Sequence, residues 1–430
     1  VSGESSIQWC DATWNPTRGC SVISEGCHNC YAMRQAHRFN KPGGAFEGYT
    51  KATKATKAGP QWTGKVSIAE KALDWPLRYK GHPDAIAEGR PTRIFVNSMS
   101  DLFHEWLSDE DIDRVFAVMA QARKHIYQIL TKRAERMRQY SAGMIALSPK
   151  ERTLRLVSAM WGGKPPSNPV HVGELEWPFP WVWLGVSAEN QERADERIPD
   201  LLATPAAVRF VSAEPLLSGI TLPDLRKSRN LHMCMSVSGA LRNRRFRGLT
   251  SSSGRPLNDA EAKFALQQLH NKGVKVIPMG GGCTGFSDQT GCPGHENPSL
   301  DWVIVGGESG PKARPCDVSW IRSIKDQCQA ASVPVFVKQL GGNVRDRNDA
   351  GFDADTHTWA EGEDTGKPVN PRAWPSVIEA EDRIEENPRG FLEEYQGAPV
   401  RIRLKDRKGG DPSEWPEDLR IRQFPKETSR

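Results

Sequence analysis

Hydrophobic positions along this chain fall in short blocks, each closed by a small polar cluster. The blocks span residues 93–98, 126–130, 181–187, 208–212, 302–306 and 333–337. Each is short and rich in β-branched or aromatic residues, which predicts buried strands. Between several of them the period lengthens. Residues 109–124 place Ile112, Val115, Phe116 and Met119 on one helical face behind an acidic first turn. Residues 192–202 and 319–331 also read as helices, the latter started by Asp317 or Ser319. Strands alternating with helices predict parallel pairing and right-handed crossovers. The expected class is therefore α/β, a partial (β/α) barrel, with a doubly wound open sheet as the alternative. No strand is followed by a glycine-rich dinucleotide fingerprint.

The rhythm sets the domain expectation. Residues 1–216 form the first part of the barrel, 217–297 a basic Cys/His-containing insertion, 298–342 the last barrel strands and helix, and 343–430 a polar C-terminal extension. The insertion holds an amphipathic stretch at 258–272 and a strand-like run at 274–278. No period of 20–50 residues repeats.

Composition changes this little. The 430 residues are 37% hydrophobic and 26% charged, ordinary for a globular chain with a large core. A net charge of +5 does not by itself diagnose nucleic-acid binding. No segment reaches the roughly 18 apolar residues of a membrane span, and the first residues lack a basic, apolar secretory signal. A cytoplasmic protein with no membrane partner is expected, its nine cysteines reduced or metal-bound.

Candidate chemistry gathers after the predicted strands. Ser98 and Asp101 follow one, Lys132 and Arg133 another; Glu189 and Asn190, Glu214, Glu308 and Lys338 follow the rest. In parallel α/β folds, sites collect at these strand ends. The plainer reading makes each cluster a turn with helix-capping residues. Glu, Lys and Asn recurring there favour a shared pocket, with Lys132, Arg133 and Lys338 as anion-binding candidates.

Three cysteines, Cys20, Cys27 and Cys30, stand in a C-x6-C-x2-C loop with Gly19 and Gly26 at its bends. Thiolates suit zinc or an iron–sulfur cluster. Three thiols can hold three corners of a 4Fe–4S cubane, leaving one iron open. Zinc with His28 or His37 as fourth ligand is the alternative, and unliganded thiols are the third reading. A second group, Cys234, Cys283, Cys292 and His295, has the composition of a tetrahedral zinc site or an auxiliary iron–sulfur cluster within the insertion; the plainer reading, and the leading one, is uncoordinated cysteines in a glycine-rich loop.

The run from Asp11 to Pro16, then Gly19-Cys20 and Gly26-Cys-His-Asn-Cys-Tyr-Ala32, resembles the phage-associated three-cysteine protein family, which is radical-SAM-like and largely uncharacterised. The likeness continues through Asn97–His104, Leu130–Arg133, Leu184–Asn190, Phe210–Leu216, Val303–Gly310, Val337–Gln339 and Asp406–Pro412. It implies a radical-SAM-type partial barrel whose Cys20, Cys27 and Cys30 ligate a 4Fe–4S cluster. S-adenosylmethionine would chelate the fourth iron, and an electron donor would drive its cleavage to a 5′-deoxyadenosyl radical. Tyr31 would pack near the adenine, unless it simply begins the next helix. Glu189, Glu214 and Glu308 would bind the cofactor's amino group or a polar edge of the substrate, and Ser98, Asp101, Lys132, Arg133, Asn190 and Lys338 the substrate. Two departures stand out. The first cysteine gap is six rather than the usual three, and Gly306-Gly-Glu308 comes late in the chain.

The function these features imply is modification or repair of a nucleic acid or nucleotide. Basic runs at 226–229 and 241–247, with Arg242, Arg244, Arg245 and Arg247, would contact phosphates, the plainer reading of each arginine being a solvated charged loop. Competing readings are a non-catalytic nucleic-acid-binding protein stabilised by zinc or a cluster, and a zinc-dependent hydrolase.

Overall fold

The computed structural model describes residues 2–40, 49, 51–57, 59–160, 173–223, 225, 299–310, 312–346, 352–353, 358–359, 400–402 and 404–425. The chain divides into two compact units, Val1–Leu225 with Leu300–Arg430, and Arg226–Ser299. The expected zinc ligands Cys234, Cys283, Cys292 and His295, and the arginines from Arg242 to Arg247, lie outside the described residues.

One eight-stranded sheet organises the first unit. Its strands in chain order are β1 (Gly3–Glu4), β2 (Ala12–Trp14), β3 (Thr92–Val96), β4 (His125–Thr131), β5 (Val182–Ser187), β6 (Val208–Ala213), β7 (Trp302–Gly306) and β8 (Val335–Gln339). Their order across the sheet is the same as their order along the chain. From β2 to β8 every neighbour is parallel, and β1 alone runs antiparallel. A doubly wound sheet reverses its strand order partway; this one never does. It advances in one direction and curls into a half-barrel within a mixed α/β fold.

All six expected strands are present, with ends shifted by a few residues. The helices between them are α1 (Tyr31–Phe39), α2 (Asp109–Gln121), α3 (Ala134–Ile145), α4 (Pro149–Met160), α5 (Gln191–Leu202) and α6 (Val318–Ala330). Their starts have local causes. Ser108 and Asp111 form a reciprocal capping box on α2, Asn190 caps α5 and Asp317 caps α6.

Alternation along each strand separates two cores. Outward residues, such as Ile94, Val96, Ile129, Leu184, Val186, Val211, Val303, Val305 and Val337, pack under Ile112, Phe116, Ile198, Ile321 and Ile324 of the helices. Inward residues Phe95, Trp183, Phe210, Trp302 and Phe336 join Trp9 in an aromatic floor. Gly185 makes room for it, since a Cβ there would lie 2.5 Å from the Phe210 ring. Further along the same inward face come Ser187, Ser212 and Lys338, so the concave side passes from apolar floor to polar mouth.

Within the expected C-terminal extension, residues 404–425 lie along the free edge of β8. The Val337 amide donates to Ile421 O at 2.9 Å, and Gln423 N donates to Val335 O at 3.0 Å. The Phe424 ring reaches the floor, 5.4 Å from Trp302 and 5.3 Å from Phe336. The guanidinium of Arg93 on β3 covers it at 3.9 Å. Trp415 and Leu419 are fully buried in the outer core.

Candidate functional site

The cysteine loop passes over the C-terminal ends of the strands and enters α1 directly after Cys30. Its path is fixed by anchors on four strand ends. Near Cys20, the Ser21 hydroxyl accepts from the Arg133 guanidinium at 2.6 Å and meets His104 Nε2 at 3.0 Å. In the middle, the Gly26 amide donates to Glu189 Oε1 at 3.3 Å. Near Cys30, Asn29 Nδ2 donates to Glu308 Oε2 at 2.9 Å, and Arg314, itself held by Glu308, donates to Glu25 O at 2.8 Å. Past the last cysteine, the Tyr31 hydroxyl donates to Ser98 O at 2.6 Å.

Cys20 and Cys30 pack against a small cluster of Ala32, Met33, Ala36, Tyr49, Ala52, Trp62 and Met99. Burial pushes Cys20 up to about 12, reinforced by Asp101 and opposed by Arg133. Burial raises Cys30 as well. Such thiols keep their protons until a metal displaces them, as thiolate coordination requires. Among the described residues, no three His, Cys, Asp or Glu side chains converge as ligands of a single ion do. His37 Nδ1 lies 3.2 Å from Thr53 Oγ1.

His104 shows what the Ser21 anchor can and cannot do. The Trp106 amide donates to Nδ1 at 3.2 Å, so the proton sits on Nε2, which donates to Ser21 Oγ. Burial and the nearby Arg133 charge lower its pKa and keep the ring neutral. With Nε2 already protonated, His104 cannot deprotonate Ser21; the pair positions the loop and does not form a nucleophile.

Several expected site residues are engaged inside the protein. Asp101 is saturated: Oδ1 accepts from Thr131 Oγ1 at 2.7 Å and Phe103 N at 3.0 Å, while Oδ2 accepts from Lys132 N at 3.1 Å and Arg133 at 3.0 Å. Lys132 pairs with Glu189 at 3.2 Å, and Arg197 reaches the same carboxylate at 2.9 Å. Burial would raise the Glu189 pKa, but Lys132 and Arg197 overcome it and hold the group at about 2. Burial likewise opposes ionisation of Glu308, yet hydrogen bonds from Arg314 and Asn29 bring it below the usual carboxylate range. Asn190 accepts from Arg193 N at 3.0 Å, the helix-capping role. Ser98 Oγ pairs with Asn15.

Two of the expected groups face the mouth more openly. The Tyr31 ring remains 48% exposed despite crowded surroundings that raise its pKa. Lys338 and Glu214 pair at 3.0 Å on the concave side, with Lys338 a quarter exposed. Gly306 clears space for Glu214, because a Cβ there would stand 2.9 Å from its Oε1. Sequence reasoning missed Ser21, Asn29, His104, Arg197 and Arg314. Only Asn29, placed between two cysteines, carried a local signal.

The family model that fits this chain covers residues 4–380, which includes every anchor of the cysteine loop. The chain belongs to the family described as protein of unknown function (DUF5131). No curated protein and no solved structure matches it. The DUF5131 match thus spans β2 to β8 and ends before the strap at 404–425. Among the described residues, no helix is long and apolar enough to cross a membrane.

Proposed function

We propose that this DUF5131 protein is an iron–sulfur enzyme of the phage-associated, radical-SAM-like kind, acting on a nucleic acid or nucleotide. The observation that carries the reading is the cysteine loop itself. Three thiols on one loop are clamped over the polar mouth of a parallel half-barrel, where such folds keep their sites. The chemistry of the donor set supports a cluster: the loop offers three soft thiols, the ligand type that such clusters take. Cys20, Cys27 and Cys30 would hold the cluster. When bound, it supplies a single electron to S-adenosylmethionine at its open iron.

The chain's own residues do the rest. Glu189 and Glu308 hold the loop on opposite flanks, and their low pKa values keep both anchors ionised at neutral pH. Tyr31, half exposed beside the last cysteine, and the Glu214–Lys338 pair on the concave face would meet cofactor and substrate. The nucleic-acid assignment rests on the family resemblance and on the basic runs at 226–229 and 241–247.

Anaerobic reconstitution tests the proposal. The expected result is iron and sulfide in equal amounts, about four of each per chain, with S-adenosylmethionine cleaved on reduction. Replacing Cys27→Ala should abolish the cluster signal. Stoichiometric zinc with no iron uptake would refute the reading.

A further inference from the structure

Residues 404–425 lie beyond the family match, yet their contacts lead back to the cysteine loop. The path begins at Trp415, fully buried, whose indole N–H donates to Gly409 O at 3.0 Å. The same carbonyl accepts from Leu340 N at 2.8 Å. Gly409 has φ +62, and a Cβ on it would stand 2.4 Å from Gly341 O. Gly341 in turn lies under Gly307: a Cβ there would be 3.0 Å from the Gly307 Cα and from Glu308 O. Gly342 N closes the layer on Glu308 O at 2.8 Å. Three backbones thus stack without side chains between them, and the uppermost carries Glu308, which grips Asn29 and Arg314.

The strap is itself tightly seated. Asp406 Oδ2 accepts from Gly410 N at 2.7 Å, and Asp418 accepts from Lys325 of α6 at 3.0 Å. Arg422 lies between Trp415 and Phe336, 5.5 and 5.6 Å from their ring centres. A segment that merely covered the edge of β8 would need neither the glycine stack nor the Trp415–Gly409 bond.

We propose that the strap at 404–425 is a positioning element for the cysteine loop, acting through the Gly409–Gly341–Gly307 stack to set Glu308. The proposal does not depend on which metal group the loop holds. It concerns the metal-free chain and can be tested there.

Hydrogen–deuterium exchange of the full-length apo-protein is the test, comparing the wild type with Gly409→Ala, Trp415→Phe and Glu308→Gln. The loop amides of Cys27, His28 and Cys30, bonded to Ser24, Glu25 and Cys27 carbonyls, report on the clamp. All three variants should speed exchange of the 21–31 peptide by roughly tenfold, the size of a single lost hydrogen-bonded anchor, while peptides of α2 and β4 keep wild-type rates. Glu308→Gln cuts the final link, so the two strap variants should resemble it. Unchanged loop exchange in Gly409→Ala and Trp415→Phe would overturn the proposal. So would a uniform acceleration across loop and α2 alike, which would make the strap a general stabiliser.

Discussion

Glu189→Gln is the most informative single change. Glu189 is fully buried between Lys132 at 3.2 Å and Arg197 at 2.9 Å, and it also receives the Gly26 amide. The neutral amide keeps the shape but leaves the buried Arg197 and the partly buried Lys132 uncompensated, a change that costs about 3–5 kcal/mol when one partner of a buried ion set is removed. Linkage gives an independent figure. Holding this carboxyl at about 2 instead of its ordinary 4.5 corresponds to roughly 3 kcal/mol. The folded-state pKa is depressed, so this stability is fully present above the unfolded value and is lost as pH falls through 4.5 towards 2. Urea titrations at several pH values measure the difference between wild type and variant. The gap should be constant from neutral pH down to mildly acidic pH and about 40% smaller by pH 3.5. A gap below about 1 kcal/mol at neutral pH, or one that does not shrink in acid, would refute the assignment of Glu189 as a doubly paired anchor.

Gly19 has φ +88, and a Cβ would meet Lys65 O at 2.0 Å; Gly19→Ala should lower stability by about 3 kcal/mol in the same titrations. Asn190→Ala should cost about 1 kcal/mol, the value of a helix cap, and leave the iron content of reconstituted protein unchanged. A fall in bound iron would contradict its place at the start of α5. The Cys10 thiol, pushed up to about 12 by burial, should resist alkylation of the native protein at pH 8 and react only on unfolding, as peptide mass spectrometry can show.

The fold was legible where burial is two-sided. The strand from Trp302 to Gly306 is apolar on every residue because the aromatic floor lies on one side and α6 on the other. The strand Ala12–Trp14 escaped notice because three residues cannot display a period. Helix α3 escaped because its apolar positions are broken by Arg136, Gln139 and Gly143. The site was legible only as a list of residue types. Glu189, Glu214 and Glu308 do stand at strand ends, but what each one does depends on partners far away in sequence. Asn29 and Glu308 are 279 residues apart, and no local pattern encodes that meeting. Lys132 and Arg133 read as open cations because sequence reveals charge and conceals its counter-charge.

The six-residue gap between Cys20 and Cys27 takes on a different meaning once its anchors are known. A longer loop between two ligands normally carries more conformational entropy, and closing it costs more. Here the added length is tied at both ends, by Ser21 to Arg133 and by Gly26 to Glu189. Between them the chain reaches the surface at Val22 and Ile23, 43% and 40% exposed, and turns back inward at Ser24, which is buried. Both tethers end on buried, charge-paired groups that the sheet already fixes in place. The entropy of the extra residues is therefore confined to the stretch between the tethers and is not transmitted to the thiols. Gap length alone does not decide whether three cysteines can act together. What decides it is where the chain between them is held, and in this chain that is beside the first cysteine and beside the second.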